Sequence, residues 1–208
     1  NNVLHLFAVP ALIACLLGNN RRLDRQRLTD AVVGIYGILR SALFLRWSED
    51  ELLHEIRRTI DTFAGRGLLR RAGIDGWLLA PDTNSQEFPE LQMIGETLRP
   101  MLGRHFLALA LLQQRGSGKL TRAVLEKDCV LLAQRLALLH GFGETETADK
   151  SDFANLVASL LDAELLEEDQ EGLLRFDEHL LQPLTYAELV LPADARQSIR
   201  RIAEQPAA

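Results

Sequence analysis

The residues best suited to chemistry in this 208-residue chain are five histidines and a few charged clusters. No two of the histidines have the i, i+4 spacing that would place a metal-binding pair on one helix face. The chain contains no G-x-S-x-G sequence, so the nucleophile of an α/β-hydrolase is not indicated. We therefore predict no catalytic, cofactor-binding or metal-binding residue here. The histidines are His5, His54, His105, His140 and His179.

Two further clusters are weak candidates for ligand binding. RGSGK at residues 115–119 lacks the first glycine and the hydroxyl residue of a P-loop, so it predicts a flexible linker. An acidic cluster near residue 170 lacks the alternating ligand positions of a calcium loop and is typical of a solvated hairpin turn. This acidic cluster consists of Glu167, Glu168, Asp169 and Glu171.

Two sets of arginines are more informative about possible partners than these two clusters. A first set, which directly follows an apolar segment, is Arg21, Arg22, Arg25 and Arg27. A second set on a later helix and hairpin is Arg57, Arg58, Arg66, Arg70 and Arg71. A solvated, salt-bridged face is one interpretation, because the same helix carries as many acids as bases. The alternatives are anionic lipid headgroups or an acidic protein partner, and we name the first set as candidate membrane-surface contacts.

Composition limits the class of protein. A hydrophobic content of 47% with 25% charged residues is ordinary for a soluble globular chain. The net charge of -6 argues against nucleic acid as a partner, because phosphate contacts need an excess of Lys and Arg on one face. Cys15 and Cys129 lie in apolar helical stretches and are expected to be buried, reduced thiols of a cytosolic protein.

The first segment is apolar from Val3 to Leu17 except for His5, and it predicts a helix. At about 1.5 Å per residue it is too short to cross a hydrocarbon layer of about 30 Å. No positive residue precedes it, so it does not resemble a signal peptide. We expect either a core helix or, with the arginines after it, attachment to a bilayer surface. Because the chain begins with Asn, we expect the end of a longer protein.

The stretch SALFLRWSEDELLHEI, residues 41–56, contains a helix start. Ser48 and Glu51 have the spacing of a capping box, and Trp47 with Leu52 has that of a hydrophobic staple. This local structure accounts for Trp47, Ser48, Glu51 and Leu52, and it leaves Arg46 unexplained. A planar guanidinium suits a carboxylate or a helix C-terminus, so Arg46 needs a partner from elsewhere.

The order of elements predicts a mainly α fold. A helix starting near Thr29, the Ser48 helix and a hairpin closed by Pro81 follow the order of a winged helix. The order recurs with a helix ending at Gly141, a helix capped by Ser151 or Asp152, and a second hairpin in LLEEDQEGLLRF. A helical stretch interrupted around Pro89 and Pro100 lies between them, and two short helices broken at Pro192 end the chain. We predict two winged-helix-like halves, 1–82 and 119–208, each with a short β-hairpin, joined by connecting helices and a linker at 83–118.

Three stretches carry a family resemblance. NNVLHLFAVPALIACLL, LRSALFLRWSEDEL and LEKDCVLLAQRLALLHG resemble, in order and spacing, the C-terminal region of bacterial membrane-bound glycerol-3-phosphate O-acyltransferases. The likeness runs from Asn1 to about Leu166. It implies a parent enzyme at the cytoplasmic face of the inner membrane that transfers an acyl group from acyl-carrier protein or acyl-coenzyme A to the 1-hydroxyl of glycerol 3-phosphate. The product is lysophosphatidic acid, for phospholipid synthesis.

The family's catalytic His and Asp belong to a His-x-x-x-x-Asp motif, in which the carboxylate orients the imidazole base. The residues five after the histidines here are Pro10, Thr59, Ala110, Thr145 and Leu184. No catalytic residue is therefore carried over, and the resemblance implies a non-catalytic domain. Its expected partners are the catalytic domain of the same chain, a membrane surface and, through the parent enzyme, acyl-carrier protein, but no nucleic acid.

Within such a domain, Arg46 and Trp47 are candidate domain contacts rather than substrate ligands. The alternative is a stand-alone winged-helix module for protein interaction or regulation. Such a module would need its own start codon near Asn1, whereas an acyltransferase reading frame would continue upstream through the His-x-x-x-x-Asp motif.

Overall fold

The computed structural model describes residues 4–42, 45, 47–73, 76–140, 150–191, 196–197 and 201. The chain divides into two compact units, Asn1–Pro100 and Met101–Ala208, called here the first and second unit. Most of the described residues are helical and the strands are short, so the prediction of a mainly α protein is confirmed. The three-part division at residues 82 and 118 stays a prediction.

The first unit combines helices with a small antiparallel sheet whose strand order is β1-β3-β2. The hairpin predicted before Pro81 is confirmed as β2 and β3, and β1, which the sequence did not predict, pairs with β3 as a third strand. The elements are α1 (Leu4–Asn20), β1 (Arg22–Asp24), α2 (Arg25–Ala42), α3 (Glu49–Gly65), β2 (Arg70–Ala72), β3 (Trp77–Leu79) and α4 (Glu87–Glu96).

Helix α1 forms the centre of the first unit. Its side chains at Ala8, Val9 and 11–17 are buried, and it packs against α2, α3 and above all α4. A helix with neighbours on several sides has no solvent face, which is why its sequence is apolar all round. The core-helix alternative is therefore confirmed for residues 8–17. Within the parts of the chain that the structure describes, no helix combines the length and the apolarity needed to cross a membrane.

Local capping decides where two helices of the first unit begin. The predicted capping box is confirmed, because Ser48 N–H donates to Glu51 Oε2 at 2.8 Å and Ser48 Oγ accepts the Glu51 N–H at 3.4 Å. Helix α2 begins earlier than the predicted Thr29. The Asp24 carboxylate caps it by accepting the N–H groups of residues 26 and 27 at 2.9 and 3.1 Å.

Two other predicted boundaries were wrong. Pro89 does not interrupt the helical stretch as predicted, because it lies in the first turn of α4, where a missing N–H costs no hydrogen bond. The interruption predicted around Pro100 is present, at Thr97 and Leu98. Helix α7 already begins at Lys150, so the residues predicted as its cap, Ser151 and Asp152, lie within its first turn.

The second unit has the same kinds of element. The predicted second hairpin is confirmed as β4 and β5, and the predicted helix ending near residue 141 as α6. Pro192 lies outside the described residues, and residues 196, 197 and 201 beyond it are helical. The elements are α5 (Arg99–Arg115), α6 (Arg122–His140), α7 (Lys150–Asp162), β4 (Glu167–Glu168), β5 (Leu174–Arg175), a 3₁₀-helix (Glu178–Tyr186) and α8 (Ala187–Val190).

Residues 115–119 are not a flexible linker, and that prediction was wrong. Gly118 N–H donates to the Leu174 carbonyl at 2.8 Å, and Ser117 Oγ accepts the Phe176 N–H at 2.9 Å. Gly116 and Gly118 have φ values of 85° and 71°, in the left-handed region that favours glycine. The glycines thus supply backbone conformation to a segment that is hydrogen-bonded to the second hairpin.

The two units share one order of elements: a helix, an extended segment, two helices and a hairpin. In each unit the extended segment pairs with the last strand of the hairpin. This pairing is β1 on β3 in the first unit, and Leu120 and Thr121 beside Leu174 and Leu173 in the second. The recurrence expected from the sequence is therefore present in the element order, while the winged-helix assignment of each half stays a prediction.

Candidate contact surface of the first unit

The β1-β3-β2 sheet presents one face away from the helices. Alternate residues of a strand point to opposite faces, and Leu23 and Leu78, which are paired across β1 and β3, are both buried. The residues on either side of them therefore point outward, and none of these is buried. We call them the sheet face: Arg22, Leu79 and Arg70 in one row across the strands, and Asp24, Trp77 and Ala72 in the next.

A cation and an aromatic ring are stacked on the sheet face. The Arg22 guanidinium lies 3.9 Å from the centroid of the Trp77 ring, which is within the range of a cation–π contact. Arg22 is exposed and Trp77 is half-buried. The contact holds the guanidinium over the ring, so both groups are presented together to a partner that meets this face.

Arg21 has a packing role instead. It adopts a left-handed φ of 62°, its Nη2 donates to the Pro81 carbonyl at 2.8 Å, and its guanidinium lies 4.6 Å from the centroid of the Phe88 ring. Its carbonyl also accepts the Ala80 N–H at 2.8 Å. Arg21 thus joins β1 to the end of the hairpin and to α4. Of the four arginines predicted at a membrane surface, it is the one that the structure does not leave exposed.

Arg25 and Arg27 are exposed in the first turn of α2, beside the sheet face. The backbone N–H of Arg25 donates to the Gly76 carbonyl at 3.1 Å, which places this turn next to the hairpin. Cations at a helix N-terminus oppose the helix dipole and cost roughly 0.3–1 kcal/mol each at low salt. Helix stability therefore does not explain why this turn carries two arginines.

The second arginine set is largely paired, and the salt-bridged interpretation is confirmed for four of its five members. Exposed pairs of this kind contribute about 0–1 kcal/mol each, so they organise the surface more than they stabilise it. Arg57, the fifth member, is exposed. The pairs are Arg58 with Glu55 at 3.3 Å, Arg70 with Asp82 at 3.2 Å, Arg66 with Glu90, and Arg71 with Asp61.

The predicted domain contact is only partly described. Arg46 lies outside the described residues. Trp47 is half-buried and stacks on Tyr36, with 6.1 Å between ring centroids, while its backbone N–H donates to Tyr36 Oη at 3.1 Å. Trp47 is thus engaged within the first unit by the preceding helix. Its staple with Leu52 stays a prediction.

In the second unit, Asp169 organises the acidic hairpin. Its Oδ1 accepts the N–H groups of Glu171 and Leu173 at 3.0 and 2.9 Å, and its Oδ2 accepts Arg175 Nε at 2.8 Å. The Leu173 N–H and then the Arg175 guanidinium hold the pKa of the Asp169 carboxyl below its usual value. These contacts support the hairpin-turn interpretation. Among the residues described, no group of three or more His, Cys, Asp or Glu is placed to hold a metal ion.

Three buried groups, His105, Cys15 and Cys129, have pKa values unsuited to acid–base or nucleophilic work at neutral pH. Burial lowers the pKa of His105 to about 4, and its Nδ1 lies 2.9 Å from the Met101 carbonyl one turn earlier in α5. Burial raises the pKa of the Cys15 thiol to about 11 and that of Cys129 further still. Both cysteines are buried, as predicted. A thiol protonated at pH 7 is a poor nucleophile.

The second unit also contains a cavity of about 220 Å³ between α5 and the segment around α8. Phe106 and Ala110 line one side, and Leu184 and Leu191 line the other. This volume is below the roughly 300–1,000 Å³ of most small-molecule sites. The sheet face of the first unit is a stronger candidate for a functional contact than this cavity.

Comparison with known proteins identifies the class. Residues 1–169 match the family described as the C-terminal region of glycerol-3-phosphate acyltransferase. The chain belongs to this family, and the resemblance predicted from the three sequence stretches is confirmed.

Three curated relatives, each named glycerol-3-phosphate acyltransferase, illustrate the match. Those of Pseudomonas paraeruginosa strain PA7 and Pseudomonas aeruginosa strain UCBPP-PA14 are 39% identical over 210 residues, covering 100% of this chain and 25% of each relative. That of Pseudomonas fluorescens strain SBW25 is 37% identical over 205 residues, covering 98% of this chain and 24% of the relative. The chain thus spans about a quarter of the length of these relatives.

Proposed function

We propose that this chain is the non-catalytic C-terminal domain of a glycerol-3-phosphate 1-O-acyltransferase. The parent enzyme would transfer an acyl group from acyl-carrier protein or acyl-coenzyme A to glycerol 3-phosphate, giving lysophosphatidic acid. The domain would stabilise the catalytic domain or position it at the cytoplasmic face of the inner membrane. One observation carries the proposal: the whole length of the chain matches a segment that makes up about a quarter of the length of an acyltransferase relative.

The absence of chemistry in this domain is supported by its residues. None of the five histidines is followed at the fifth position by Asp, so the sequence contains no His-x-x-x-x-Asp pair. His105, the buried histidine of α5, is neutral at pH 7 but is hydrogen-bonded to its own helix, away from any carboxylate partner named above. The catalytic base would therefore come from the part of the parent enzyme outside these residues.

A positioning role is supported by where the charges lie. Arg22, Arg25 and Arg27 are exposed together on or beside the sheet face, and Arg70 of the same face is also exposed, although it pairs with Asp82. Basic side chains near an anionic leaflet add about 1 kcal/mol each. Acyl-carrier protein would meet the parent enzyme as acyl donor, and the residues that the structure describes assign it no contact.

A stand-alone winged-helix interaction module is the second candidate. It is supported by the order of elements that the two units share. In each unit, the extended segment pairs with the last strand of that unit's own hairpin. In the first unit, however, α3 exposes acids such as Glu49 and Asp61 alongside Arg57. That mixture does not favour nucleic acid as the partner.

The positioning role is tested by comparing the parent enzyme with a form truncated before residue 1. We expect the truncated form to lose acyl transfer faster on heating and to leave the membrane fraction more readily. A catalytic-site variant of the full-length enzyme, folded but inactive, is the control for membrane recovery. If truncation changes neither the rate of thermal inactivation nor the membrane-bound fraction, the domain has neither proposed role.

A further inference from the structure

We propose that the sheet face of the first unit, centred on Arg22, Trp77 and Arg70, docks against the anionic headgroups of a lipid bilayer. The inference deepens the positioning role proposed above. It rests on that role in one respect, because the role is what brings a membrane near the domain. It assigns the contact to one face, and it removes Arg21 from the set of arginines that would meet lipid.

The spacing of the two cations suits a surface of repeating phosphates. Arg22 on β1 and Arg70 on β2 occupy one row with Leu79 of β3 between them. Strands lie about 4.8 Å apart, so the two Cα atoms are roughly 10 Å apart and their side chains leave the same face. Each guanidinium offers several donors in a fixed plane, which matches phosphate oxygens.

The middle strand supplies the apolar part of the contact. Trp77 and Leu79 are half-buried and point outward from β3 between the two arginine-bearing strands. An indole has an apolar body and a polar N–H, and tryptophan is enriched at the headgroup level of membranes for that reason. The Arg22 guanidinium stacked on Trp77 lets one group reach phosphates while the other contacts the apolar boundary.

The acids near the face are already engaged. The Asp24 carboxylate caps α2 by accepting two backbone N–H groups, and Asp82 pairs with Arg70 at 3.2 Å. The pair is exposed, so lipid phosphate can compete with Asp82 for Arg70 at little cost. Arg25 in the adjoining first turn of α2 extends the positive surface. With Arg25, the face and its surroundings carry three positive side chains against the two carboxylates, a small local excess in a chain whose net charge is -6.

A lipid contact does not require a large interface. A stable protein interface buries about 800 Å² per partner. Basic side chains near an anionic leaflet instead contribute one by one, about 1 kcal/mol each, so a face of three short strands can contribute to membrane attachment.

Trp77 provides a local reporter for the test. The chain contains two tryptophans, so Trp47→Phe leaves Trp77 as the single source of indole fluorescence and keeps the backbone N–H that Tyr36 accepts. In low salt we expect vesicles of equal phosphatidylglycerol and phosphatidylcholine to shift the Trp77 emission to shorter wavelength. Vesicles of phosphatidylcholine alone should not, and about 0.5 M salt should reverse the shift, because it screens exposed charges.

Two double variants in this single-tryptophan background separate the face from general charge. Arg22→Gln with Arg70→Gln should weaken partitioning into the anionic vesicles about thirtyfold, from about 1 kcal/mol per arginine. Arg57→Gln with Arg58→Gln removes the same charge from α3 and should weaken it far less. Circular dichroism and the thermal midpoint are measured for each variant to exclude unfolding as the cause.

Three results would overturn the inference. One is an emission spectrum of Trp77 that anionic vesicles leave unchanged. This holds even if the chain co-sediments with the vesicles, because it would then bind them through another surface. Another is equal loss of partitioning in the two double variants. The third is a shift of Trp77 produced by the purified catalytic part of the parent enzyme but not by vesicles, which would make the face a protein contact. None of these would affect the truncation experiment, so the proposed function is tested separately.

Discussion

Gly95 of α4 lies directly against the backbone of Cys15 in α1. A Cβ placed on Gly95 would come within 3.0 Å of the Cys15 nitrogen and 3.1 Å of its Cα. Backbone atoms in a buried helix cannot move aside as the end of a flexible side chain can. The absence of a side chain at Gly95 therefore sets how closely α4 approaches the central helix of the first unit.

Gly95→Ala should destabilise the first unit by about 1–3 kcal/mol, the usual cost of forcing extra volume into a packed core. Both tryptophans lie in this unit, so urea unfolding followed by their fluorescence measures the change. Gly37→Ala is the matched control. No atom lies within 4 Å of a Cβ at this exposed position in α2, and the change should stabilise by about 0.5–1 kcal/mol. Equal effects of the two substitutions would refute the close packing.

His105 makes the stability of the second unit depend on pH. Burial, and secondarily the charge of Arg104, lower the pKa of His105 to about 4, against the effect of its hydrogen bond to Met101. In the unfolded chain the pKa of this histidine is near 6.5. Between pH 6.5 and pH 4, His105 is therefore protonated in more of the unfolded molecules than of the native ones. The free energy of unfolding is therefore highest above pH 6.5 and should fall by about 3 kcal/mol as the pH drops to 4.

The measurement is chemical unfolding of wild type and His105→Leu across this pH range, followed by circular dichroism. The difference between the two proteins should shrink or reverse as pH falls, because the variant has no buried group to protonate. His54→Gln changes an exposed histidine of α3 and should keep the wild-type profile. A difference between wild type and His105→Leu that stays constant from pH 7 to pH 4 would show that His105 is not the titrating group.

Arg46→Ala should lower the thermal stability of the parent enzyme, or the docking of its catalytic domain, without changing the Michaelis constant for glycerol 3-phosphate appreciably. The reason is its position in the sequence, two residues before Ser48, the N-cap of α3, in a domain without substrate motifs. Thermal inactivation and steady-state kinetics are compared with those of Arg57→Ala, which changes an exposed arginine of α3. A large rise in the Michaelis constant at normal stability would instead make Arg46 a substrate ligand.

The sequence predicted features whose signals are local. Ser48 and Glu51 are three residues apart, and the turn before β3 contains its own glycines, so both could be recognised without tertiary information. Strand β1 could not. It has three residues, only Leu23 is buried, and its partner Leu78 lies more than fifty residues later. An alternating pattern is not detectable over so short a length.

The candidate surface was predictable in part for the same reason. The cluster of arginines after α1 is visible in the sequence, but their separate roles depend on contacts that are distant along the chain. Arg21 packs on Phe88 and the Pro81 carbonyl, whereas Arg22 stacks on Trp77. Composition likewise suggested a flexible linker around Gly118, because its hydrogen bond to Leu174 is invisible in a local window.

The most direct test of the central proposal is acyl transfer to glycerol 3-phosphate, measured as labelled lysophosphatidic acid formed from acyl-coenzyme A. The full-length parent chain should form this product, and residues 1–208 purified alone should form none, because the base and its orienting carboxylate are missing from them. Product formation by residues 1–208 alone, or a parent chain without any glycerol 3-phosphate-dependent product, would contradict the account.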